Sequence, residues 1–170
     1  MIAALLIAAV AGGQLRIVER ADPISDAKSV YAIVGGGNEY LAMGCDNVAE
    51  RSSIRVVVHY NRYIGNNQPG LILGGTDVQY RFDQRPPETV RWYSHDREVT
   101  SETDRTDPIK FIIAMKGSST VFIRSANFDA DAVDVRFSYS TPDAIVDDML
   151  VRCGFNPDGS DPSKLKKKRR

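Results

Sequence analysis

The chain has very few of the residues from which catalytic and metal sites are usually assembled. Of its 170 residues only two are Cys, two are His and one is Trp. Cys45 and Cys153 have no C-x-x-C neighbour, and only His59 and His95 could join them, so the spacing of a zinc site is missing. No G-x-S-x-G elbow is present to carry a serine nucleophile. Gly35-Gly36-Gly37 lacks both the G-x-G-x-x-G spacing and the G-K-[ST] ending of phosphate-cradling loops, and reads as a hairpin turn. No apolar run approaches the roughly 20 residues that cross a hydrocarbon core. Net charge is absent too: 22 Lys and Arg balance 22 Asp and Glu.

The few polar groupings that remain have plainer explanations. Ser94, His95 and Asp96 are consecutive, whereas a nucleophile, base and orienter converge in space and not along the chain. His95 and Asp96 therefore read as a solvated loop; the rival is a small periplasmic hydrolase centred on them. The acids Asp129, Asp131 and Asp134 lack the glycine at the sixth position of a calcium loop, as does Asn156-Pro157-Asp158-Gly159, and read as turns. His59, inside a Val-rich run, reads as a strand-face or core side chain. Neither a metal nor a cofactor is expected.

What is present begins with a leader. Residues 2–11, IAALLIAAVA, are unbroken apolar, and Ala9-Val10-Ala11 is a small-x-small pattern. The length suits the roughly 7–15-residue apolar core of a secretory signal, although no Lys or Arg precedes it. Residues 1–11 are read as a signal peptide, and the alternative is a buried first strand of a cytosolic domain. In an oxidising compartment Cys45 and Cys153 would pair, and in the cytosol they would remain two buried thiols. At the other end, Lys164, Lys166, Lys167, Lys168, Arg169 and Arg170 form a basic terminus. Setting these six aside leaves 16 basic against 22 acidic residues, a net of about −6. The terminus suits an anionic surface or, equally, an ordinary solubilising end; a cytosolic nucleic-acid binder is the alternative, against which the acidic body argues.

Between the ends, apolar residues recur with a period of two. Strands are predicted over 29–34, 40–45, 54–60, 77–82, 89–93, 120–125 and 133–139. Val133, Val135, Phe137 and Tyr139 alternate with Asp134, Arg136 and Ser138, the pattern of a sheet with one buried face. Helices are predicted over 108–115, after Asp107 with Pro108 in the first turn, and over 142–153. In the second, Thr141 caps and Ile145, Val146, Met149 and Leu150 make one apolar stripe, which Gly154 ends. After Phe155 the periodicity stops. The expected organisation is a single β-rich domain over 22–155 and a disordered basic tail over 156–170. Its fold class is α+β, mainly β: an antiparallel sandwich-like domain with a short helix and a C-terminal helix, closed by one disulfide. Tyr80, Arg81, Arg91 and Trp92 mix aromatics with guanidinium groups, the residues that anchor protein interfaces, and are the candidate partner-binding residues.

The order of motifs carries a resemblance. Pro23 to Val30 lead into a first strand; then come Tyr40-Leu41-Ala42-Met43-Gly44-Cys45, Val78-Gln79-Tyr80-Arg81-Phe82-Asp83 and Trp92. Phe111 to Met115 precede Val121-Phe122-Ile123-Arg124, and Val135 to Tyr139 run into the helix that ends at Cys153. Over about residues 22–155 this layout resembles the TagO/VasI-like small exported proteins associated with type VI secretion, and more loosely the invasion-associated locus B-like proteins. The resemblance implies a periplasmic or secreted β-rich domain with Cys45 and Cys153 bridged, and no catalytic residues. The chain departs from the pattern at Tyr139-Ser140-Thr141-Pro142, where a Gly-containing turn is more usual, and in its basic terminus. The expected function is that of an exported, non-enzymatic envelope binding or accessory protein, linked to a secretion system, with an envelope protein as its partner.

Overall fold

The computed structural model describes residues 11–48, 54–67, 75–101, 107–127, 130–140 and 142–162. Among them lie β1 (Ala11–Gly12), β2 (Arg16–Ala21), β3 (Lys28–Gly36), β4 (Glu39–Cys45), β5 (Ile54–His59), β6 (Gly65–Asn67), β7 (Thr76–Phe82) and β8 (Glu88–Asp96). They are followed by β9 (Glu98–Thr100), α1 (Asp107–Met115), β10 (Thr120–Ala126), β11 (Ala132–Ser138) and α2 (Pro142–Arg152). The α+β, mainly β fold is as expected, and every strand and helix read from the periodicity is present.

Hydrogen bonding links the strands in the order β1-β11-β10-β7-β8-β9-β5-β4-β3-β2, and all these pairs are antiparallel except β1 with β11. The strand β8 turns the sheet from one layer to the other. Its first part, Glu88 to Trp92, pairs with β7; its last residues pair with β9 on one edge and with the short β6 on the other. A strand that passes between two packed layers in this way is how sandwich corners are made.

Strict alternation places one residue in two inside. Along β7, Thr76, Val78, Tyr80 and Phe82 are buried, while Asp77, Gln79 and Arg81 are exposed. In the facing layer Val30, Ala32 and Val34 of β3, Leu41, Met43 and Cys45 of β4, and Val56 and Val58 of β5 point the same way. The helices fill the space between: Phe111, Ile112 and Met115 of α1 and Val146, Met149 and Leu150 of α2 are fully buried. Tyr80, Phe82, Trp92 and Phe111 meet as one aromatic cluster, with ring centroids 4.8 Å apart for Tyr80–Phe111 and 5.0 Å for Phe82–Phe111.

The C-terminal helix is closed by a Schellman arrangement. Phe155 N–H donates to Leu150 O at 2.9 Å, Gly154 N–H donates to Val151 O at 3.0 Å, and Gly154 takes φ +82°. Its last turn is tied to the end of β4 by the Cys45–Cys153 disulfide, with Cα atoms 5.9 Å apart and a sequence separation of 108.

The folded body is longer than the expected 22–155. It already includes β1 from Ala11, the last residue of the expected 1–11 leader, and β2 from Arg16, and the expectation of disorder over 156–170 is corrected for 156–162. There Asn156 Nδ2 donates to Ser160 Oγ at 2.8 Å, Ser160 N–H donates to Asp158 Oδ1 at 2.8 Å, and Lys116 Nζ donates to Pro157 O at 3.1 Å. A Cβ at Gly159 would stand 2.6 Å from Ile109 Cγ2, so this turn lies directly on α1. Side-chain hydrogen bonds of Asn, Asp and Ser build such turns without any apolar repeat. Residues 1–10 of the leader, the cap Thr141, Asp129 and the basic residues Lys164 to Arg170 lie outside the described residues.

Candidate functional site

Strand alternation separates the four residues that the sequence singled out. Tyr80 and Trp92 are 3% and 1% exposed, inside the aromatic cluster, whereas Arg81 and Arg91 stand on the outer face. Arg81 lies over the exposed ring of Phe122, 5.8 Å from its centroid, and Arg91 faces Asp77 at 3.6 Å. Arg81 and Arg91 thus sit on the surface of the β7–β8 pair, and the two aromatics hold that pair to α1 from within. Phe122 lies between Arg81 and Arg136 in a cross-strand row, a neighbourhood set by pairing and invisible along the chain.

Ser94, His95 and Asp96 do not converge. Ser94 is buried on the inner face of β8, His95 is exposed on the other, and Asp96 begins the two-residue link to β9 with φ +55°. Of the acids near the calcium pattern, Asp134 is held bidentately by Arg124, with Nε–Oδ1 at 2.7 Å and Nη2–Oδ2 at 2.8 Å. That hydrogen-bonded pairing also holds its carboxyl below the usual range.

A separate hollow lies on the outer face of the β2-β3-β4-β5-β9 layer. It is a basin of about 490 Å³. Three cross-strand rows build it. The middle row runs Arg16, Ile33, Ala42 and Val57 and is apolar from Ile33 onward, with Val18 of the neighbouring row beside it. One flanking row runs Val18, Tyr31, Gly44 and Arg55, and the other runs Gly35, Tyr40, His59 and Glu98. Each flanking row sets a glycine next to a tyrosine, so the floor stays low where the rings lean over it. Gly44 can be nothing larger: a Cβ there would stand 1.9 Å from Val30 O and 2.8 Å from Tyr31 Cα. Its φ of +158° is also one that L side chains rarely adopt, so the backbone angle and the neighbouring strand both impose the glycine.

The polar groups around the basin hold one another in place. Arg55 Nη2 donates to Asp46 Oδ1 at 2.7 Å, Arg55 Nε donates to Tyr31 Oη at 3.0 Å, and the Tyr31 hydroxyl donates to the same Asp46 oxygen. Burial, reinforced by that bond to Asp46, pushes the Tyr31 phenol well above its usual range. At the other end the Tyr40 hydroxyl donates to Glu98 Oε1 at 3.0 Å, and burial again raises the phenol. The Tyr40 ring stacks on His59 with centroids 4.8 Å apart, and His59 Nδ1–H donates to Asn38 O at 3.0 Å. Both phenols therefore stay protonated at any physiological pH. With Arg16 and Arg20 on β2, three guanidinium groups face two carboxylates across an apolar floor. Such a surface binds through fixed donors and apolar contact.

Of the residues lining the basin, Tyr40 and Ala42 stand in the Tyr40 to Cys45 motif and the glycines in the hairpin turn, and none is a sequence-predicted site residue. Tyr31, Arg55 and Asp46 lie on separate elements, and only the β3-β4-β5 register unites them. Comparisons with protein-family models, with characterised proteins and with solved structures each find no match.

Proposed function

We propose that this chain is an exported, non-enzymatic binding protein of the bacterial envelope, an accessory to a secretion or assembly system, and that its partner seats in the basin on the outer face of β2–β5. The basin carries this reading. It is an open hollow with an apolar floor, and its polar rim is immobilised by its own hydrogen bonds before any ligand arrives, which lowers the ordering cost of association. Its tyrosines are held as neutral donors, in keeping with a binding and not a reacting surface. The bridge between Cys45 and Cys153 supports an oxidising compartment, where such bonds persist. The resemblance to the type VI secretion-associated proteins supports the secretion link.

Site-specific photo-crosslinking in cells tests this function. A photoreactive phenylalanine analogue in place of Ile33, beside the floor, should trap an envelope protein; the same analogue at Val151, exposed on α2, should not. Equal adducts at both positions, or none at Ile33, would contradict it.

A further inference from the structure

The rim of the basin is also the end of the sheet. β2 is the last strand in the hydrogen-bonded order, joined to β3 from Arg16↔Ile33 to Ala21↔Lys28, and among the described residues nothing pairs with its other edge. An open edge offers a row of free N–H and C=O groups to an incoming strand. β2 is also firmly backed. Glu19 is ion-paired with Arg152 of α2, Ile17 packs against the core, and α2 is itself locked by the disulfide.

The side chains along this edge carry a pattern. Arg16, Val18 and Arg20 alternate onto the basin side, and neither arginine has a carboxylate partner among the described residues. We infer that this edge accepts an extended acidic segment of the partner as an added strand, with acidic residues four apart and an apolar residue midway between them. Residues directly opposite across a strand pair have Cβ atoms about 4.5–5.5 Å apart. The two acids would meet Arg16 and Arg20, and the apolar residue would meet Val18 and extend the basin floor. The motif, acidic-x-apolar-x-acidic, reads the same in both directions and so suits parallel or antiparallel addition. Main-chain bonds supply affinity and the alternate side chains supply specificity.

Charge decides against the other occupants. In a second copy paired antiparallel about Val18 with both outer faces together, Arg16 would stand opposite Arg20, and like charges directly opposed are destabilising. The basic terminus, Lys164 to Arg170, carries the same sign as the two arginines. The proposal rests on the basin as the binding face, and its test separates the two.

The probe is the synthetic peptide Thr-Glu-Thr-Val-Thr-Glu-Thr, capped at both ends, with Thr-Lys-Thr-Val-Thr-Lys-Thr as control, followed by amide NMR at low ionic strength. The acidic peptide should shift amides of β2 and the basin, and the lysine peptide should not. In the double variant Arg16→Glu/Arg20→Glu, affinity for the acidic peptide should fall at least about tenfold and the lysine peptide should bind in its place. Equal binding of both peptides, shifts away from β2, or unchanged affinity in the variant would overturn the strand addition. An Ile33 adduct that persists undiminished in the double variant would overturn it as well, and would leave the basin standing as the binding face.

Discussion

Gly44 shows what a single residue contributes here. It has Tyr31 as its cross-strand neighbour on one side and Arg55 on the other, and the absence of its side chain lets β3 and β4 close up beneath the tyrosine ring. Because a Cβ at that position would collide with main-chain atoms of β3, no rotamer change can relieve it. The variant Gly44→Ala should therefore lose about 3 kcal/mol or more in denaturant unfolding. Gly36→Ala, whose Cβ would meet nothing within 4 Å, should stay within about 0.5 kcal/mol of wild type. Similar losses in both variants would mean that close approach of β3 and β4 is not what fixes the glycine. Trp92 teaches a related lesson. Composition marked it as an anchor, and it is one for the core: its ring packs on Phe111 at 5.7 Å and its Nε1 has no hydrogen-bond partner among the described residues.

At the level of elements, what could be read in advance depended on how much apolar area each segment buries. β3, β4, β5, β7, β8, β10, β11 and both helices bury a regular stripe, and that stripe is the signal periodicity detects. β2 reads Arg-Ile-Val-Glu-Arg-Ala and is half exposed at the edge of the sheet, and β6 and β9 are three residues each, so none of them bears a repeat. The basin was hidden for a kindred reason. Its polar partners come from β3, β4, β5 and β9, and only strand register unites them. The pairing of Cys45 with Cys153 was legible only on the condition of an oxidising compartment, because the chain has no other cysteine; the fold brings the end of α2 to the end of β4. Closing a loop of 108 residues should stabilise by about 4–5 kcal/mol in the chain-entropy account. The variant Cys45→Ala/Cys153→Ala should lose most of that in denaturant unfolding while keeping the β-rich circular dichroism of the parent. A loss below about 1 kcal/mol would mean that burial of α2 alone, through Val146, Met149 and Leu150, holds the helix on the sheet.

Over the described residues, the chain is a curled two-layer body whose inner faces are filled by two helices. One outer face bears Arg81, Phe122 and Arg136; the other bears the basin and, along its rim, the open edge of β2. Among the described residues no helix is long and apolar enough to cross a membrane. The bridge and the proposed envelope partner and secretion link all depend on one circumstance, that the chain works outside the cytosol. The most direct test is an intact-mass determination on protein recovered separately from periplasm and cytosol. The account predicts a periplasmic species that has lost its apolar leader and is two hydrogens lighter than its fully reduced form. A full-length, fully reduced chain confined to the cytosol would contradict it.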